Sequence, residues 1–591
     1  MNHSNAMLTL AKDGNGTFEL TGDDMCKLAS LKILNITNSS DQPPTLMRLQ
    51  AAPAAQARRS LDLHELLSIP ASLRTLFVRQ SMLTAMPESV GLLTSLVTLN
   101  LSRCIALTGL PKSVGQLTVL TTLNLDDCAA LTSLPESIGQ LVALAKLHLS
   151  RCYMLTGLPA SLGQLSALTT LDLTQCRLLT VLPESLAALA TLDLSNCVAL
   201  TKLPESLSQL TTLTTLECSE CNALTRLPES LGQLTALTNL SIKHCKALTG
   251  LPESLGKLAG LPKLNLCDCR ALTGLPESLG HLSRLTLLNL HECRAVTRLP
   301  ESLGQLAALM TLDLIWCCAL ARLPESLGHL SRLTCLNLGG CSALAELPES
   351  LGQLTALTNL SIKHCQALTG LPELLGHLAV LTTLILGHCW TLTRLPESLG
   401  QLAALTSLYL IDCRALTRLP QSLGQLEALT TLNLRYCGAL TGLPDSLGQL
   451  AALTTLDLSS CVALTGLPES LGQLAALSLL YLFECHALTE LPESLGQLAA
   501  LAVLDICSCD ALTRLPYSMT FLSDRLAVQC TGLVSTFPPV DVVERGIGAI
   551  KAFLFGRFCP LKLLYLILSS RRRHMRHPPA ELWNLIFIEF F

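Results

Sequence analysis

From about residue 73 onward the chain repeats one pattern of apolar and polar positions every 24 residues or so. A representative stretch, CVALTGLPESLGQLAALSLLYLFEC from Cys461 to Cys485, reduces to CxxLxxLPxSLxxLxxLxxLxLxx. In LxxLxL, as at Leu453, Leu456 and Leu458, the last two leucines are two apart. An extended strand turns both to one face and Asp457 to the other, so one short parallel strand per unit is predicted. The Pro-Glu-Ser-Leu-Gly half starts with a proline suited to the first turn of a helix and a glutamate near the positive end of its dipole. Each unit is therefore expected to return through a short helical or 3₁₀ segment. Proline recurs in this slot nineteen times, from Pro87 to Pro516. About nineteen units then fill residues 73–533, and stacking gives each a shared core that it cannot build alone. The predicted fold class is an α/β solenoid with a parallel inner β-sheet and short helical or 3₁₀ outer segments.

Composition changes this picture in three ways. Aromatic residues are only 3% of the 591 and charged residues only 14%, so aliphatic side chains fill the core and a disordered polyelectrolyte is excluded. The formal charge is -4, which gives no field to draw the chain onto nucleic acid or an anionic membrane. Of the 26 cysteines, eighteen form one series from Cys104 to Cys509 at a spacing of 24, broken once by the 21 between Cys176 and Cys197. That is a repeat position and not a disulfide framework. Each ladder thiol is expected to face inward and donate to a backbone carbonyl in the turn. Adjacent thiols about 4.8 Å apart and pointing the same way have poor disulfide geometry. A reducing, cytoplasmic location follows from so many unpaired thiols, with no secretory signal at the N-terminus. Zinc binding at Cys218–Cys221 is rejected because Cys218 fills a core leucine slot.

The phrase LxxLxLxxCxxLxxLPxSLGxL resembles leucine-rich repeats. Its length, and the Cys where many such repeats carry Asn, resemble the repeat domains of plant-type intracellular immune receptors, and the Leu-Pro-x-Ser-Leu-Gly half those of Ras-associated and Roco-type proteins. The resemblance covers about three quarters of the chain. It implies a horseshoe that binds another protein on its concave face, in defence or signalling, without cofactor or metal. No phosphate loop, kinase signature or nucleophile elbow is present, so no enzymatic activity is expected.

The chain outside the repeats divides into three. Residues 1–72 read as an N-terminal cap in which Leu28, Leu31, Leu34 and Ile36 mark a degenerate repeat strand. The segment KDGNGTFEL has Asp13, Asn15 and Gly16 in an EF-hand frame, but Ala11 and Gly22 stand where carboxylates are needed. A hairpin turn at Asn15-Gly16 is the preferred reading. Residues 534–558 read as a capping helix with Val542, Val543, Ile547, Ile550 and Leu554 on one stripe, similar to the helix that follows the repeats in Roco-type proteins. Residues 559–591 form a basic and apolar tail whose longest apolar run, Leu563 to Leu568, is too short to span a bilayer. Its end, PPAELWNLIFIEFF, is similar to the opening helix of an F-box. The alternative function is therefore a ubiquitin-ligase substrate adaptor, engaging an Skp1-like subunit through Leu582, Ile586 and Phe587. The unit from Val181 to Cys197 lacks three residues of its return and is expected to tighten the solenoid locally.

Most strand positions that alternate with the core leucines are Thr, Ser, Asn or Asp. One stretch differs, carrying His388, Trp390, Tyr409, Arg435, Tyr436, Tyr481 and Phe483, with Trp316 further back. Aromatic residues and arginine dominate interface energetics, so these eight are the candidate partner-binding residues.

Overall fold

The computed structural model describes residues 7–12, 18–20, 33–38, 59–61, 72–78 and 83–557, apart from 187, 188 and 535. The chain forms two compact units, Met1–Ala295 and Val296–Phe591.

In the first unit a parallel sheet begins with β1 (Met7–Lys12), which pairs with β3 (Ile33–Asn38), and β3 pairs with β5 (Thr75–Val78). Three-residue strands then follow, one per repeat, from Thr98–Asn100 to Leu287–Asn289. The second unit runs in the same way from Thr311–Asp313 to Ala527–Gln529. In a strand such as Thr431–Asn433 the central Leu432 is fully buried and its neighbours are half-buried, the alternation that a two-sided strand requires. Register is constant: Thr431, Leu432 and Asn433 face Thr455, Leu456 and Asp457.

The returns are five-residue 3₁₀ segments such as Glu253–Lys257 and Glu469–Gln473. Proline stands one place earlier than the sequence suggests. Pro111 has φ -69° and ψ 156°, an extended conformation just ahead of the turn, and its carbonyl accepts the Val114 N–H at 3.2 Å. The glutamate also works differently, because its carboxylate reaches the next unit. Glu229 Oε2 accepts the Ser254 N–H at 3.2 Å and Glu469 Oε2 the Ser494 N–H at 3.0 Å. A return that opens with such a glutamate thus supplies an acceptor for a free donor at the start of the following turn. The glycine of Ser-Leu-Gly permits this spacing, since a Cβ on Gly256 would collide with the Ser278 carbonyl oxygen.

The thiol ladder is built as the repeat spacing implies. Cys128 Sγ donates to the Leu101 carbonyl at 3.2 Å and Cys437 Sγ to the Leu410 carbonyl at 3.1 Å. In the short unit Cys197 bonds Leu173, a separation of 24 where Cys128 and Cys437 show 27. The strand before it still pairs in register, Thr191 with Thr170, so the deletion falls wholly in the outer return.

Two expectations about the ends need correction. The Asn15-Gly16 turn lies outside the described residues, but the strands on either side do not form a hairpin. β1 is parallel to β3, while β2 (Phe18–Leu20) pairs antiparallel with β4 (Arg59–Leu61). Among the described residues after the repeats there are two helices and not one, α1 (Val540–Val543) and α2 (Ile547–Arg557). Gly546 separates them at φ +84°, a left-handed conformation that ends a helix. Val543, Ile547, Ile550 and Leu554 are buried, and α2 packs on the last 3₁₀ return, Tyr517–Phe521. Lys551 Nζ holds it there through the Leu522 carbonyl and Asp524. The tail and the F-box-like segment lie outside the described residues.

Candidate functional site

Each repeat offers three places on the sheet side that do not enter the core. The first is the strand end, as at Asn433. The second, two residues on, is here called the shoulder. The third is the ridge, the residue just before the ladder cysteine. Their chemistry is linked. A strand-end Asn or Asp accepts the shoulder N–H with its side chain: Asn100 from Ser102 at 3.0 Å, Asp313 from Ile315 at 3.0 Å, Asn433 from Arg435 at 3.0 Å. This Asx turn leads into a ridge residue at positive φ. Seventeen non-glycine residues, from Arg103 to Ser508, hold φ between 55° and 66° there. Such conformations are uncommon outside glycine, and sixteen of the seventeen are held by their N–H, which donates to the shoulder carbonyl of the next repeat. Examples are His388 to Ile411 at 2.6 Å and Tyr436 to Ser459 at 2.8 Å. None of the seventeen is Val, Ile or Thr, the types for which this region is most strained.

The sequence-derived residues distribute over these places, all within the second unit. Tyr409 and Tyr481 are strand ends in one column, with Asn433 and Asp457 between them. Three strand steps separate them, about 14 Å. Arg435 and Phe483 are shoulders. Trp316, His388 and Tyr436 are ridge residues, and Trp390 stands just past the ladder Cys389.

Along the ridge the side chains join. Trp316 lies across Gly340, whose Cβ, if present, would meet the indole at 2.5 Å. Its ring then stacks on His364 at 5.8 Å, and His364 stacks on His388 at 4.2 Å with the planes 5° apart. His388 Nδ1 bonds Asp412 Oδ2 at 3.0 Å, and Trp390 Nε1 donates to the same oxygen at 2.9 Å. Arg414 Nε donates to Asp412 Oδ1 at 2.8 Å while its guanidinium covers the Trp390 ring at 4.8 Å. Arg435 lies 4.7 Å over the Tyr436 ring and donates to its hydroxyl at 2.9 Å. Burial would raise the Asp412 carboxyl, but hydrogen bonds from Arg414, Trp390 and His388 outweigh it and hold the group below its usual range. Burial, then the charges of His388 and Lys363, push His364 down.

Sequence reasoning missed His364, Asp412 and Arg414, the groups that bind the aromatic residues into one row. His364 sits in LTNLSIKHC, a copy of the segment at Leu237. A usable signal existed: Asp-Cys-Arg, one unit after a ridge histidine, occurs twice. In the first unit it gives the same device, His244 Nδ1 at 3.3 Å from Asp268 and Arg270 Nε bonded to it at 2.5 Å. The strand-end asparagines are also more than solubilising groups, because they cap the turn. Asn124, for instance, accepts the Asp126 N–H at 2.9 Å.

Comparison with known proteins meets this geometry at the repeat. Residues 264–369 match a leucine-rich repeat region, residues 167–189 a leucine-rich repeat, and residues 449–538 the leucine-rich repeats described as disease resistance protein RPS4B-like. The chain is a leucine-rich-repeat protein. No curated protein sequence matches it. Among solved structures it is similar to a Leptospira interrogans leucine-rich-repeat protein, at 24% identity over 79% of this chain and 98% of that one, with a TM-score of 0.34. The repeat domain of the type III effector XopL is 31% identical over 35% of this chain and 72% of that one, with a TM-score of 0.32. The Arabidopsis receptor kinase HAESA, solved with the peptide hormone IDA and the co-receptor SERK1, is 20% identical over 86% of this chain and 87% of that one, with a TM-score of 0.34. Leucine-rich repeats are in general interaction modules and not catalysts. No helix among the described residues is long and apolar enough to cross a membrane.

Proposed function

We propose that this leucine-rich-repeat protein is a non-enzymatic recognition scaffold that binds another protein on the sheet side of its second unit. Tyr409, Tyr481, Phe483 and Arg435 supply the strand-end and shoulder contacts; Trp316, His388, Trp390 and Tyr436 supply the ridge. One observation carries the reading. At Ile385, Tyr409 and Tyr481 the strand end gives up the Asn or Asp that caps its own turn, and an apolar or aromatic side chain stands half-buried instead. The repeat loses a hydrogen bond there and gains only a surface suited to a partner. The thiol ladder favours a reducing compartment, hence the cytoplasm, and the resemblance of residues 449–538 to disease-resistance repeats favours a role in defence recognition.

The test is affinity capture with the full chain, followed by titration of the captured partner against variants. The double change Tyr409→Ala with Tyr481→Ala is expected to weaken binding at least tenfold. The control is Thr122→Ala, a half-buried strand residue of the first unit; Asn124 is unsuitable because it caps its turn. Equal losses in both proteins, or none in the tyrosine pair, would remove the basis for this surface.

A further inference from the structure

We infer that Asp126, His148 and Asp172, in the first unit, form a binding site for one divalent transition-metal ion. The three come from consecutive repeats. His148 and Asp172 are the ends of neighbouring strands, Lys146–His148 and Thr170–Asp172, and pair directly in register. Asp126 is the shoulder of the repeat before. One ligand atom from each lies within 4.8 Å of the other two.

Two departures from the repeat coincide here. Among the strand ends from Asn100 to Gln529, His148 is the only histidine; among the shoulders from Ser102 to Thr531, Asp126 is the only acid. Each is adjacent to the other and nowhere else repeated. A histidine at the strand end cannot cap its turn as Asn does, and Asp126 Oδ1 takes over by accepting the Ser150 N–H at 2.9 Å. Asp172 Oδ1 is likewise used locally, by the Thr174 N–H at 2.9 Å and its hydroxyl at 2.6 Å. Both carboxylates keep Oδ2, and the imidazole keeps a nitrogen, for a shared ligand.

The donor set is one nitrogen and two carboxylate oxygens, with no sulfur. The ladder thiols of these repeats, Cys128, Cys152 and Cys176, are buried on the other side and donate to carbonyls. Imidazole with carboxylates suits Mn²⁺, Fe²⁺, Co²⁺, Ni²⁺ or Zn²⁺, and not Cu⁺. Bonds of about 2.0–2.2 Å bring such donors closer than they stand, which half-buried side chains reach by rotation. Of the nearby cations, Arg103 and Arg151 are drawn to Asp127, at 3.9 and 3.5 Å. Lys146, on the same face of the strand as His148, is the group that would compete with the ion.

The repeat itself supplies variants that keep the fold. His148→Asn and Asp126→Ser each restore the residue found in other units. The full chain, reduced and freed of metal, is titrated with Co²⁺ and followed by calorimetry and visible absorption. Expected is one Co²⁺ per chain with ligand-field bands of nitrogen and oxygen coordination, and at least tenfold weaker binding in either variant. Three results would each overturn the site: no stoichiometric binding, binding unchanged in both variants, or a thiolate-to-cobalt charge-transfer band showing that cysteines hold the ion. Circular dichroism of the variants, expected to match the parent, separates a lost site from a lost fold.

Discussion

In the first unit the strand ends from Asn100 to Asn289 read Asn, Asn, His, Asp, Asp, Glu, Ser, Asn, Asn. In the second, from Asp313 to Asp505, they read Asp, Asn, Ser, Ile, Tyr, Asn, Asp, Tyr, Asp. The scaffold beneath is the same in both, with nine ladder cysteines each, Cys104 to Cys293 and Cys317 to Cys509. Among the described residues the first unit's one aromatic strand end is Phe77, in β5. An Asn or Asp strand end completes its own turn and leaves little to offer a protein partner. An aromatic one leaves the turn to the scaffold's redundancy and presents a contact. The array can therefore carry function only where neighbouring repeats already secure the backbone.

The largest effect tests whether the scaffold is common to both units. Burial pushes Cys128, Cys176, Cys221 and Cys245 in the first unit, and Cys341, Cys389, Cys485 and Cys509 in the second, up to about 12. An unfolded thiol ionises near about 8.5. Above that pH the unfolded chain holds fewer protons than the folded one, so stability falls as pH rises, by up to ~1.4 kcal/mol per unit of pH for each thiol. Stability should be complete below about pH 8 and collapse between about pH 9 and 11, in both units together. Hydrogen exchange showing one unit intact at about pH 11 would break the symmetry.

Next is the core. Leu147→Ala in the first unit and Leu432→Ala in the second should each cost about 2–5 kcal/mol, because both side chains are fully buried. Nearest-neighbour coupling confines the damage, so faster exchange is expected in the mutated unit. Exchange that rises equally everywhere would argue against separate units.

A smaller loss, about 1–2 kcal/mol, is expected for Asp412→Asn, which removes the charge that collects His388, Trp390 and Arg414. The matching change Asp268→Asn should cost less, since it has no indole bonded to it. The Asp412 carboxyl is held low, so its contribution is present above about pH 4 and lost as pH falls through its folded value. Trp390 fluorescence should shift in that acid range, and should not in Asp412→Asn. Smaller still, Tyr409→Asn should restore the turn cap and raise stability by about 0.5–1 kcal/mol while weakening the partner. A variant that gained stability and kept full binding would separate the strand ends from recognition.

The scaffold was legible in the sequence because strand alternation, the Pro slot and the Cys spacing are each repeated enough to fix a period. Glu229 shows where legibility stops: its carboxylate serves the next unit's turn, a contact that spacing alone does not distinguish from its own. The ridge was hidden for a related reason. Left-handed φ in residues as unlike as Arg103, Trp316 and Glu484 leaves no compositional mark except the absence of β-branched types. The candidate surface was found through its rare aromatics, and the groups that organise it, His364 and Asp412, were not, because ordinary polar residues do not stand out among polar strand ends.

The constant register makes copy number a unit of length. Each repeat adds one strand, so surface groups can be separated only in steps of about 4.8 Å. Removing one whole repeat between Tyr409 and Tyr481 would leave every turn, thiol bond and ridge intact while bringing the two rings from three steps to two. A chain that varies by gaining and losing repeats thereby tunes the reach of its surface as a ruler is cut, in whole divisions, and partners of different width can be met without redesigning a single contact.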